Sequence, residues 1–162
     1  MTLGAATLWM LALACGKDDG EGGRGYAADF AGREGVYLEL GPIEDPRDTP
    51  LILHVEDQQW ILRWGEEWGA ATELATYDLS LSEGLTVGGS QLLPSRLAVG
   101  EVGDGVEVTA RGEVEVWYGI FEDAVTVSVE SGPFAGEQVF GRDLGPIRVT
   151  HLGATWELAY YE

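Results

Sequence analysis

The sequence is poor in cations, has one cysteine and holds no apolar run long enough to cross a bilayer. Its 162 residues contain 9 Lys+Arg against 28 Asp+Glu, a formal charge of −19. Such a surface repels phosphate backbones and excludes nucleic acid as a partner. It equally excludes a polybasic patch on anionic lipid. A single cysteine, Cys15, makes no internal disulfide. The length suits one folded domain.

Catalytic signatures are also missing. No G-x-S-x-G elbow surrounds Ser80, Ser82, Ser90 or Ser95. No phosphate-binding loop occurs, and no G-x-G-x-x-G opens a helix after a strand. The expectation is a protein that is not an enzyme, with no cofactor.

What is present begins at the N-terminus. Residues 1–14, MTLGAATLWMLALA, contain no charged side chain, and charge starts abruptly at Lys17. The run is shorter than the ~20 residues of a membrane-spanning helix. Its length and small-residue end are those of a secretory signal. Leu11-Ala-Leu-Ala-Cys15-Gly16 resembles the lipobox of bacterial lipoproteins, with Ala14 before the cut and Cys15 as the acylated residue. Two positions depart from that pattern. Ala12 stands where Leu is usual, and no Lys or Arg precedes the apolar run, as a start placed too late would also give. The resemblance implies a signal peptide over 1–14 and an anchor at Cys15, the membrane being the partner. Acyl chains hold stably because each buried CH₂ contributes about 0.8 kcal/mol. Gly16 in place of Asp implies, by the enteric sorting rule, the outer membrane of the cell envelope.

Residues 17–25, KDDGEGGRG, hold no apolar side chain and are expected to form a flexible tether, with Cys15 and Gly16 completing segment 15–25. Fully extended, nine residues span at most about 30 Å. Asp18, Asp19 and Glu21 lack the ligand alternation of a calcium loop.

The folded domain is expected over 26–162, and its pattern has period two. Predicted strands are 36–40, 51–55, 60–64, 73–79, 106–110, 113–118, 125–129, 147–150 and 155–160. Arg111-Gly112 and Leu152-Gly153 are predicted hairpin turns. Gly145 is expected at positive φ, with Pro146 at a strand entry. Val106, Val108 and Ala110 oppose Glu107, Thr109 and Arg111, as in an antiparallel sheet with one wet face. No window shows a helical stripe. The expected fold is all-β: an antiparallel meander forming a curved sheet, small barrel or sandwich.

Tyr118 to Val129, then Gly136-Glu137 and Phe140, Gly145 to Val149 and Trp156 to Tyr160 resemble the closing hairpins of uncharacterised secreted and lipid-anchored bacterial β-proteins. The shared phrase is here Phe140-Gly-Arg-Asp-Leu-Gly-Pro-Ile147. The resemblance implies a curved antiparallel sheet and brings no catalytic residues. Phe140, Trp156 and Tyr160 are expected to supply core or rim area.

Candidate ligand-binding residues cluster in Trp60-Ile-Leu-Arg-Trp64-Gly-Glu66-Glu67-Trp68. Aromatic platforms beside two carboxylates suit a glycan site. Against it, Trp60 and Trp64 share the face of Leu62 and so read as core, with Glu66 and Glu67 in an acidic turn. His54 lies near Glu56 but lacks a third metal ligand, and reads as a surface histidine. His151 is the only other histidine, and no metal is expected. Asp45, Asp48 and Asp143 read as turn caps.

Three functions fit these residues. One is a lipid-anchored envelope protein with a structural or interaction role, meeting another envelope protein. The second is a binding module for a lipid or other hydrophobic ligand inside a curled sheet. The third is a glycan-binding or glycan-active protein. A packed or hollow interior separates the second from the others.

Overall fold

A computed structural model describes residues 26–45 and 48–162. Cys15 and the segments expected as signal peptide (1–14) and tether (15–25) lie outside the described residues. The domain is all-β and antiparallel, eleven strands in a nearly closed, barrel-like sheet. The strands are β1 (Tyr37–Pro42), β2 (Leu51–Glu56), β3 (Gln59–Trp64), β4 (Thr72–Ser80), β5 (Leu85–Val87), β6 (Ser90–Leu93), β7 (Val106–Val116), β8 (Gly119–Val129), β9 (Gly136–Gly141), β10 (Gly145–His151) and β11 (Ala154–Tyr161).

Two meanders build the sheet. β1 to β6 run in sequence to one side and β7 to β11 to the other, giving the order β6-β5-β4-β3-β2-β1-β11-β10-β9-β8-β7. The first and last strands join them. Tyr37 and Glu162 exchange both backbone hydrogen bonds at 3.0 Å, and Leu40 pairs with Leu158. At the far edges β6 meets the β7 side through Gln91. Its amide nitrogen donates to the Glu83 carbonyl, and its amide oxygen accepts from the Asp104 N–H.

Alternation decides what lies inside. Leu38 and Leu40, Leu51 and Leu53, Trp60 and Leu62, and Val125 and Val127 are all buried on the inner face. Trp60 meets Phe134 edge-on with centroids 5.9 Å apart, and Phe140 lies 6.4 Å away. Tyr77 packs on Phe134 and shares a 2.9 Å hydrogen bond with His151 Nε2. These rings bridge β3, β4, β9 and β10, so among the described residues side chains fill the interior.

A short 3₁₀ turn, Ala27–Phe30, precedes β1. It buries Phe30 between Arg111 and Arg142, whose guanidinium carbons lie 5.5 and 5.6 Å from the ring centroid. Both arginines bind Asp123, Arg111 at 2.6 Å and Arg142 at 2.9 Å. The Asp29 carbonyl accepts the Asp143 N–H, fixing the turn to the β9–β10 connection.

Several expectations need correction. Arg111-Gly112 is not a hairpin turn. One long strand, β7, runs through it, with register shifts between Val108/Ala110 and Gly112/Val114. Gly112, at φ +132°, absorbs the extra residue as a bulge, and the chain reverses at Trp117-Tyr118 instead. β5, β6 and β9 were not among the predicted strands. The first two are too short for alternation to show, and β9 buries Gln138, Val139 and Phe140 in succession. The Leu152-Gly153 turn is present, with φ of 49° and 82°.

Gly145 sits at φ +105°, as expected, and a Cβ there would lie 2.7 Å from the Gly32 Cα. Gly153 shares the positive φ, but a Cβ there meets nothing within 4 Å. Gly153→Ala is therefore expected to cost about 1–2 kcal/mol. Gly145→Ala adds displacement of the N-terminal segment and is expected to cost at least about 3 kcal/mol. Urea unfolding of the two variants checks the order; equal midpoints would contradict it.

Candidate functional site

The outer face of β1, β2 and β11 carries an aromatic cluster that period-two alternation alone would leave in solvent. Tyr37 pairs with His54, and Glu39 pairs with both Ile52 and Tyr160. A register shift at Glu39/Leu40 sets Tyr160 opposite Glu39. The loop between β3 and β4, residues 65–71, folds back over this face. At its base Gly65 (φ +150°) lies so close to Ala71 that a Cβ would be 2.9 Å from the Ala71 Cα. The Glu67 carbonyl accepts the N–H groups of Ala70 and Ala71, closing the turn.

Arg63 secures the loop. Its guanidinium lies 4.1 Å from the Trp68 ring centroid, donates to the Trp68 carbonyl at 3.0 Å and faces Glu73 at 3.7 Å. Cation–π contact and hydrogen bond hold Trp68 against the sheet. Trp68 then presents its edge to Tyr37 at 5.1 Å and to His54 at 5.0 Å. His54 stacks on Tyr37 at 3.8 Å, with the rings 2° from parallel.

A cleft of about 390 Å³ opens beside this cluster, lined by Tyr37, Glu39, Ile52, Glu66, Glu67, Trp68, Tyr160 and Glu162. That volume lies within the ~300–1,000 Å³ of small-molecule sites. The loop supplies three walls, the β1–β11 pair four and β2 one. The candidate residues therefore divide. Trp68, Glu66 and Glu67 share the cleft; Trp60 is 0% exposed in the core.

Trp64 was expected in the core and is 49% exposed. It lies at the end of β3, beyond the filled interior. There it shares a groove of about 630 Å³ with Trp156, Pro42 and Ile43. Tyr160, expected as core or rim, is a cleft wall on the outer face.

His54 is also corrected. It faces outward as expected, yet it is only 4% exposed, because Trp68 and Tyr37 cover it. Neither ring nitrogen has a hydrogen-bond partner among the described residues, and the Glu56 carboxylate lies 3.8 Å from Nδ1. An orphaned buried imidazole costs stability, as sites kept for function do. Tyr37, Glu39, Tyr160 and Glu162 escaped sequence reasoning, since the pairing of first and last strands assembles them. Comparison of the chain with protein-family models, with curated proteins and with solved structures gave no match.

Burial pushes the His54 pKa below its usual value, and Arg63 adds to this while Glu56 and Glu34 oppose it. Burial likewise lowers His151. Both groups charge more readily in the unfolded chain. Their contribution is thus intact above about pH 6.5 and is lost as pH falls from there through the folded-state values. The melting temperature should drop between pH 7.5 and 5, and His54→Phe, which keeps a ring on Tyr37, should reduce that drop. An unchanged pH profile in the variant would contradict the assignment.

Proposed function

We propose that this protein is a non-enzymatic, lipid-anchored envelope protein whose β-domain binds a small ligand or partner side chain in its outer aromatic–acidic cleft. The cleft between the 65–71 loop and the β1–β11 face is the observation that carries the binding role. It joins three aromatic side chains to carboxylates on a rigid sheet, and the Arg63 clamp orders its one loop wall. The anchoring half rests on the lipobox-like Leu11 to Gly16. A tether of about 30 Å would keep the cleft close to the bilayer. Acylation would also remove a lone thiol from an oxidising compartment. Gly16 supports the outer membrane as the site.

Two measurements test the two halves. Metabolic palmitate should label the wild type and not Cys15→Ser; label retained in the variant would overturn the anchor. For the cleft, amide chemical shifts can be followed against a panel of neutral saccharides and organic cations. Shifts converging on Tyr37, Trp68 and Tyr160 are expected, and changes scattered over the surface would overturn the binding role.

A further inference from the structure

The cleft concentrates negative charge that none of its described walls offsets. Glu39, Glu66, Glu67 and Glu162 line it, and among the described residues no lysine or arginine does. Arg33, Arg63, Arg111, Arg142 and Arg148 pair with Asp143, Glu73, Asp123, Asp29, Glu137 or Glu157. None of the ion pairs among the described residues engages a cleft carboxylate.

The four carboxylates do not converge either. Among the described residues no three His, Cys, Asp or Glu side chains gather as a metal site. A bare cation such as calcium needs six to eight oxygens at about 2.3–2.6 Å, which a dispersed set does not give. Acids spread around a space of about 390 Å³ instead match a cation whose charge is itself spread. The walls between them specify the rest. Tyr37, Trp68, Tyr160 and Ile52 offer ring and apolar surface, on which methylene stems pack and toward which ammonium groups are drawn. A neutral saccharide would use the rings but leave four carboxylates without counter-charge as it displaced their water.

We propose that this cleft is a binding site for a linear aliphatic polyamine, its ammonium groups meeting Glu66, Glu67, Glu39 and Glu162 and its methylenes lying on the aromatic walls. The inference rests on the reading of the cleft as the domain's binding surface. Calorimetric titration of the full chain with spermidine at about 0.15 M salt tests it. Saturable one-to-one binding is expected, weakened about tenfold or more in the Glu66→Gln/Glu67→Gln variant. Both positions are exposed, so folding is undisturbed.

Glu113→Gln/Glu115→Gln, which removes exposed charge from β7, should change affinity by less than roughly twofold. Equal weakening in the two variants would show diffuse attraction to an acidic protein and overturn the site. A cello-oligosaccharide that binds in a Trp68-dependent manner while spermidine does not would overturn the polyamine and leave the cleft reading standing. Binding of neither would overturn both.

Discussion

The ladder between β1 and β11 is the constraint on which the rest depends. Without it the chain is two meanders with two extra edges, each a row of unpaired backbone groups. With it, eleven strands form one sheet that curls until β6 and β7 approach. The same ladder sets Tyr37 and Glu39 beside Tyr160 and Glu162, residues more than 120 positions apart. Closure of the sheet and these four cleft walls thus depend on the register of one strand pair.

Curvature then separates two aromatic populations with different work to do. Inside, Trp60, Phe134 and Phe140 pack against one another, and Tyr77 and His151 satisfy each other within that apolar space. Outside, Tyr37, His54 and Trp68 form a smaller cluster that needs a charged clamp to exist. Trp68 sits in a seven-residue loop with glycine at 65 and 69, where little else would hold an indole down. Arg63, on the outward face of β3, supplies a planar cation that stacks on the ring and binds its carbonyl. Lysine in its place would offer a point charge and lose the stacking.

Much of the fold was legible because period-two alternation is a local property. It placed β2, β3, β4 and β11 to within a residue and found only the second half of β8, and the positive φ at Gly145 and Gly153 followed from the turn chemistry. It failed where local pattern misleads. Gly112 has the composition of a turn but serves as a bulge, because the strands on both sides of it pair with the same partner, β8. Val87-Gly88-Gly89-Ser90 is a hairpin signal between strands too short to alternate. For the site, Glu66, Glu67 and Trp68 were legible as a cluster of chemistry. Their role was not, since it requires the 65–71 loop to cross back over β1 and β2. His54 shows the same limit: alternation assigns its side of the sheet and says nothing of what lies on that side.

The excess of acid acquires a different meaning once the arginines are placed. Most carboxylates stand on outward strand positions or in turns, where water screens them and mutual repulsion keeps the protein dispersed. Among the described residues, five arginines form ion pairs, and these serve to fasten. Arg148 bridges Glu137 and Glu157 across β9, β10 and β11, and Arg111 and Arg142 pin Asp123 beside Phe30. Arg63 holds the loop. Each of these bonds closes the sheet or fixes a segment to it, and none reaches the cleft's acids. Among the described residues, the arginines that form ion pairs all do so away from the concave acidic surface. Four carboxylates on a concave aromatic surface, with no lysine or arginine among its described walls, are the physical basis for reading the cleft as a site for a cation rather than as one more solvated patch.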